Sequence, residues 1–144
     1  MAPLFPDKYV KNVLIIDDDA DDSILLEEAI VETDPRIKCK SLLNGLEAIQ
    51  YLKLNLHALP DLIFLDLNMP KLDGKQFLKE VLHYPELKNI FIVVYSTSKR
   101  PQDAVETKIL GAFQYLMKPS SFYKLKEEVK KVLDLLNTQS QKAH

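Results

Sequence analysis

The stretch Asp61-Leu62-Ile63-Phe64-Leu65-Asp66-Leu67-Asn68-Met69-Pro70-Lys71-Leu72-Asp73-Gly74 decides how the chain is read. Leu62 to Leu65 are four consecutive large apolar residues, a run too short for a helix and apolar on both faces, which predicts a buried strand. The run stops on a carboxylate, Asp66. Met69-Pro70 shapes a loop. Asp73, with Gln76 three residues later, then opens a helix whose apolar stripe is Phe77, Leu78, Val81 and Leu82.

The same punctuation recurs on both sides of this stretch. Val13 to Ile16 is a β-branched run ending at Asp17, and Ile24, Leu25, Leu26, Ala29 and Ile30 follow at helical spacing. Asp21 or Asp22 is placed to cap that helix. Ile37 to Leu43 alternates at its start, with Ile37, Cys39 and Ser41 on one side, and reads as an edge strand. Asn44 and Glu47 open a helix that shares Ala48, Ile49, Leu52 and Leu56 on one face. Ile90 to Tyr95 is a third continuous apolar strand. Pro101 suits the first position of a helix ending before Gly111, and Phe113 to Met117 forms the last strand. Ser120 or Ser121 caps a final helix facing inward through Leu125, Val129, Val132, Leu133 and Leu136.

Five strands alternating with five helices predict an α/β domain, a parallel sheet covered on both faces. Residues 1–11 are expected to be a loose extension, 12–137 the domain and 138–144 a tail. At 144 residues and 47% hydrophobic content the chain suffices for one packed core. The lone Cys39 excludes an internal disulfide, and together with the lack of a leader sequence or a long apolar run it leads to a cytoplasmic, membrane-free expectation. Residues 1–72 hold 13 acids and 7 bases, whereas 73–144 hold 8 and 12. That is no basic nucleic-acid footprint, so no nucleic-acid partner is expected. His57, His83 and His144 show no ligand spacing.

Right-handed crossovers place every strand's C-terminal end on one rim, where open sheets of this kind bind ligands. Read by strand, that rim carries Asp17 and Asp18, then Asp66, then Ser96 and Thr97, then Lys118-Pro119. Three converging carboxylates repel one another unless a hard divalent cation joins them, and Mg²⁺ takes few carboxylates together with water and phosphate oxygens. Lys118 suits a phosphate oxygen as a point charge, and the Ser96 hydroxyl can donate to the same group. Asp66 is then a candidate nucleophile for an aspartyl-phosphate.

Leu14-Ile15-Ile16-Asp17-Asp18-Asp19, the Asp61–Gly74 stretch, Ser96-Thr97 and Tyr115-Leu116-Met117-Lys118-Pro119 together resemble the receiver domain of two-component response regulators, from about Asn12 to Asn137. The resemblance implies the flavodoxin-like, CheY-like fold, with strand order 2-1-3-4-5. It implies Asp66 as phosphoacceptor and a metal site of Asp18, Asp66 and the Asn68 backbone carbonyl, with Asp17 acting through water. It implies Mg²⁺, with Mn²⁺ as an admissible substitute. Ser96 and Lys118 would contact the phosphoryl group, and Tyr115 would be the aromatic switch. Thr97 stands where a smaller residue is common. Gly74 and Pro119 are structural positions, and the Lys118-Pro119 bond is a candidate cis peptide. Tyr84 to Lys88 and Val94 to Ser98 look most like stand-alone receivers that partner phytochrome-type or hybrid sensor kinases.

The implied phosphodonor is a sensor histidine kinase or a phosphotransfer domain. With no output domain expected after the last helix, the signal would pass to an unnamed protein target or a second copy, through the last two helices and strand. A phosphatase of the haloacid-dehalogenase type shares the strand-ending nucleophile. However, it needs an acid–base Asp where this chain has Asn68, so no external substrate is expected. A phosphorylation-independent scaffold ranks below the switch because the full set of reactive groups is present. A flavin site lacks the loop to hold the flavin phosphate.

Overall fold

A computed structural model describes residues 9–142. Its strands are β1 (Asn12–Ile16), β2 (Lys38–Leu42), β3 (Leu62–Leu65), β4 (Phe91–Ser96) and β5 (Gln114–Met117). The helices are α1 (Ala20–Thr33), α2 (Gly45–Leu54), α3 (Gly74–Val81), α4 (Pro101–Ile109) and α5 (Phe122–Lys142), with one 3₁₀ turn at Pro85–Leu87. All pairings are parallel and the sheet order is β2-β1-β3-β4-β5, the expected doubly wound arrangement. Ile16 sits beside Leu65 in the register, so Asp17 and Asp66 leave neighbouring strands together. The Asp66 N–H donates to the Ile16 carbonyl at 2.9 Å, which extends the ladder to the first residue of the rim.

Side chains alternate across the sheet and build a core on each face. Ile15, Phe64, Val93 and Leu116 pack with Leu26 and Ile30 of α1 and Val129 and Val132 of α5. Leu14, Ile16, Ile63 and Leu65 pack on the other side with Leu52 of α2 and Phe77 and Leu78 of α3. Each such fully buried side chain contributes about 1.5–3 kcal/mol. The helix starts read from sequence are present: Asn44 caps α2 as its Oδ1 accepts the Glu47 N–H at 2.9 Å, and Asp73 and Gln76 bond reciprocally at 2.9 Å in a capping box on α3.

Several local expectations are corrected. Asp19, not Asp21 or Asp22, caps α1 by accepting the Asp22 N–H at 3.1 Å. Ile24 and Leu25 are exposed, because three successive apolar residues cannot all lie on one stripe and Leu26 takes the inward position. Leu56 lies beyond the end of α2 and Leu82 caps α3, and both are exposed. Ser41 is exposed, while Ile37 is buried ahead of β2. Ile90 and Phe113 precede their strands. Ser121 supplies the α5 cap, accepting the Lys124 N–H at 3.1 Å.

α5 continues past Asn137 to Lys142, so most of the expected tail is helix. Residues 1–8 of the expected extension and 143–144 of the tail lie outside the described residues. Tyr9 to Lys11 are tied down: the Val10 N–H donates to Asn137 Oδ1 at 3.1 Å and the Lys11 N–H to Asp61 Oδ2 at 2.8 Å. No described peptide bond is cis, so Lys118-Pro119 is trans.

Candidate functional site

β1, β3, β4 and β5 deliver the candidate site residues to one rim. Asp17, Asp18 and Asp66 each present a carboxylate oxygen such that all three lie within 4.8 Å of one another. Asp17 and Asp66 are buried and Asp18 is exposed, so the cluster reaches solvent at Asp18. Burial pushes the Asp66 carboxyl up to about 7, and the facing Asp17 charge pushes the same way. Lys118 and the Asn68 N–H oppose both effects. Such a group is short of positive charge, as a cation-binding or phosphoryl-accepting carboxylate should be.

The loop after β3 is fixed by close packing. A Cβ at Gly74 would meet the Asp66 carbonyl at 2.5 Å and the Leu67 Cα at 2.7 Å, so only glycine lets the start of α3 press against the strand end. The Gly74 N–H donates to the Leu67 carbonyl at 3.0 Å. Asn68 is exposed on this loop, and Lys71 adopts a φ of 68°.

Lys118 follows β5, where its N–H donates to the Ser96 carbonyl at 2.8 Å. Its Nζ donates to Asp17 Oδ2 at 2.8 Å and to Asp22 Oδ2 at 2.8 Å, and it lies 5.3 Å from the centre of the buried Tyr95 ring. Burial alone would lower the ammonium, but these two carboxylates outweigh it and hold Lys118 above its ordinary value. Asp17 is engaged at both oxygens, since Oδ1 accepts the Asp19 N–H at 2.9 Å.

Ser96 is fully buried, and its Oγ accepts the Ser98 N–H at 3.1 Å. Thr97 is exposed beside it. Tyr115 is half-buried and its hydroxyl donates to the Ser98 carbonyl at 2.9 Å. The Ser98 hydroxyl donates to Asp103, which is buried and also bonds Lys75 Nζ at 2.7 Å. The Lys75 hydrogen bond and then the Ser98 one hold the Asp103 carboxyl below the usual carboxylate range. Ser96, Ser98, Tyr115, Asp103 and Lys75 therefore join β4, β5, α4 and α3 in one polar chain.

The structure brings together Asp17, Asp18, Asp66 and Lys118 as expected from sequence, with Ser96 ending the adjacent strand β4. Sequence reasoning missed Asp22, taken there as a helix-start acid, and also Tyr95, Ser98, Asp103 and Lys75. For Asp22 a signal existed. It falls four, seven and eight residues before Leu26, Ala29 and Ile30, and so continues the buried stripe of α1 by one turn.

A family model described as a response regulator receiver domain matches residues 13–130. Among curated relatives, response regulator Rcp1 of Synechocystis sp. is 34% identical over 112 residues, covering 75% of this chain and 76% of its own length. The sensor histidine kinase CheAY of Helicobacter pylori is 32% identical over 135 residues; the match covers 94% of this chain but only 16% of that protein. Of solved structures, the phosphorylated cyanobacterial phytochrome response regulator RcpA superposes with a TM-score of 0.80 at 32% identity, covering 88% of this chain and 93% of that one. The Mn²⁺-bound form of Rcp1 superposes with a TM-score of 0.70 at 32% identity, covering 85% and 91%. Among the described residues, no helix is long and apolar enough to cross a membrane.

Proposed function

The chain belongs to the response regulator receiver domain family, and from that premise we propose that Asp66 accepts a phosphoryl group from a phosphohistidine. The supporting observation is the placement of Asp66, a buried carboxylate at the centre of an acidic rim, pushed up to about 7 and within reach of two further carboxylates. One Asp66 oxygen bonds to phosphorus as the P–N bond breaks, and the imidazole leaves with a proton from solvent. Lys118 and the Ser96 hydroxyl hold the transferred oxygens.

Asp18, Asp66 and the Asn68 carbonyl would hold a divalent cation, with Asp17 acting through water because both of its oxygens are already engaged. The three-carboxylate cluster fits a hard cation such as Mg²⁺, and the similar Rcp1 structure holds Mn²⁺. When bound, the cation lets the carboxylates ionise together and screens the phosphoryl oxygens.

The donor is a sensor histidine kinase or a phosphotransfer domain, as for receivers generally, in a cytoplasmic setting that suits the free Cys39 thiol. Tyr115, bonded to the Ser98 carbonyl two residues past Ser96, couples the site to the β5 surface read by a downstream protein or a second copy. The test is labelling by a radioactive small phosphodonor, phosphoramidate, with Mg²⁺. Wild-type protein takes label and Asp66→Asn does not. Undiminished labelling of Asp66→Asn overturns the assignment, and steady turnover of p-nitrophenyl phosphate would make the chain a hydrolase.

A further inference from the structure

We propose that Asp22 is a positioning residue for Lys118, a counter-ion that holds the ammonium back from Asp66 until a phosphoryl group arrives. The proposal rests on the phosphoacceptor reading above. Lys118 gives its side-chain hydrogen bonds to Asp17 and Asp22, each at 2.8 Å, and none to Asp66. Its side chain is 9% exposed and that of Asp17 is 1% exposed, so this pair is fixed. Asp22 is the outer partner at 32% exposed, and is the one that can be released to water at least cost. The buried face of Tyr95 closes the cage at 5.3 Å.

A phosphoryl group on Asp66 brings negative oxygens to the same rim. Lys118 then keeps Asp17 and exchanges Asp22 for a phosphoryl oxygen. Asp22 therefore stabilises the unphosphorylated state, but neither the transition state nor the phosphorylated one. Removing it should accelerate phosphorylation and leave hydrolysis of the product nearly unchanged, because the Lys118–phosphoryl contact is already made before hydrolysis begins.

The experiment uses the full chain with phosphoramidate and saturating Mg²⁺. Asp22→Asn is expected to label about fivefold faster, as loss of a partly exposed ion pair allows. Its rate of label loss should stay within about twofold of wild type. Asp22→Glu, which keeps the pair, should return to the wild-type rate. Asp21→Asn removes the same charge one residue away and should change nothing. In a Lys118→Met background Asp22→Asn should have no further effect. Separately, urea unfolding without metal should show Asp22→Asn and Lys118→Met to be non-additive, as directly bonded residues are.

Unaltered or slower labelling of Asp22→Asn, an equal effect of Asp21→Asn, or an effect that persists in Lys118→Met overturns the proposal, and so does additivity in unfolding. A wild-type chain that takes no label overturns the phosphoacceptor assignment instead, and the unfolding cycle still decides the Asp22–Lys118 contact.

Discussion

β3 has an aspartate at each end, and the two have opposite surroundings. Asp61, just before Leu62, accepts the Lys11 N–H at 2.8 Å and the Asn12 N–H at 3.0 Å through Oδ2, pinning the start of β1 to the start of β3. Asp66, just after Leu65, is buried against Asp17 and pushed up to about 7. The same residue type is structural at one end of the strand, where two N–H groups share its oxygen, and is the proposed phosphoacceptor at the other, where burial and a second carboxylate outweigh the Asn68 N–H. A carboxylate whose charge is met by N–H donors has little need of a cation, whereas one facing its own kind requires an added cation or a proton.

The contrast is most severely tested at the contact that holds the reactive end in place. Gly74→Ala drives a Cβ to within 2.5 Å of the Asp66 carbonyl and 2.7 Å of the Leu67 Cα, both backbone atoms that cannot swing aside. The expected loss is about 3 kcal/mol in urea unfolding, the upper part of the overpacking range, together with weaker cation binding. Wild-type stability in Gly74→Ala would mean that the loop is free to move, and that the reactive end is less rigidly built than the structural one.

A second comparison turns on sign. Asp61→Ala leaves two N–H groups without their acceptor and should cost about 1–2 kcal/mol. Asp66→Asn removes a buried charge from beside Asp17 and should stabilise the metal-free fold at pH 8. The gain is about 1–2 kcal/mol, well short of the full shift because solvent at the rim screens the repulsion. The pH dependence follows from linkage. A folded pKa of about 7 against 3.8 unfolded means that the native state binds the extra proton between those values. Asp66 therefore imposes no penalty below about pH 4, and stability falls as the pH rises towards 7. Asp66→Asn should flatten that slope in EDTA, and saturating Mg²⁺ should reverse it. Two destabilising substitutions, or a slope unchanged by Asp66→Asn, would erase the distinction between the two ends.

The same contrast shows what could be read from the chain alone. The strands were legible because both-face burial gives unbroken runs such as Leu62 to Leu65, and Asp17 and Asp66 were legible because each ends such a run. Caps such as Asn44–Glu47 were legible because their partners lie three residues apart. The pairings of Asp61 and Asp22 were not legible, since their partners lie 49 or 50 and 96 residues away in sequence and only the packed sheet and helices choose them. Ser98 and Asp103 were missed for a similar reason. Their bond matters through Tyr115, on β5, and Lys75, on α3. Local spacing carries local chemistry, and long-range pairing of charges is settled by tertiary geometry.

The smallest expected effect concerns the backbone at the reactive end. Lys71, in the loop between β3 and α3, has a φ of 68°, a left-handed conformation that is disfavoured for a lysine and that among the described residues only Gly111 shares in sign. Asparagine tolerates this region without the extra unfolded-state entropy that glycine brings. Lys71→Asn should therefore stabilise the fold by about 0.5 kcal/mol, seen as a rise of about 2 °C in the thermal midpoint. The labelling assay then separates two roles for the strain. If Lys71→Asn labels at the wild-type rate, the left-handed turn only lets the chain reverse over Gly74, and the reactivity of Asp66 is electrostatic. If it labels more slowly despite greater stability, the strained loop itself helps to place the acceptor, and the two ends of β3 differ in backbone as well as in charge.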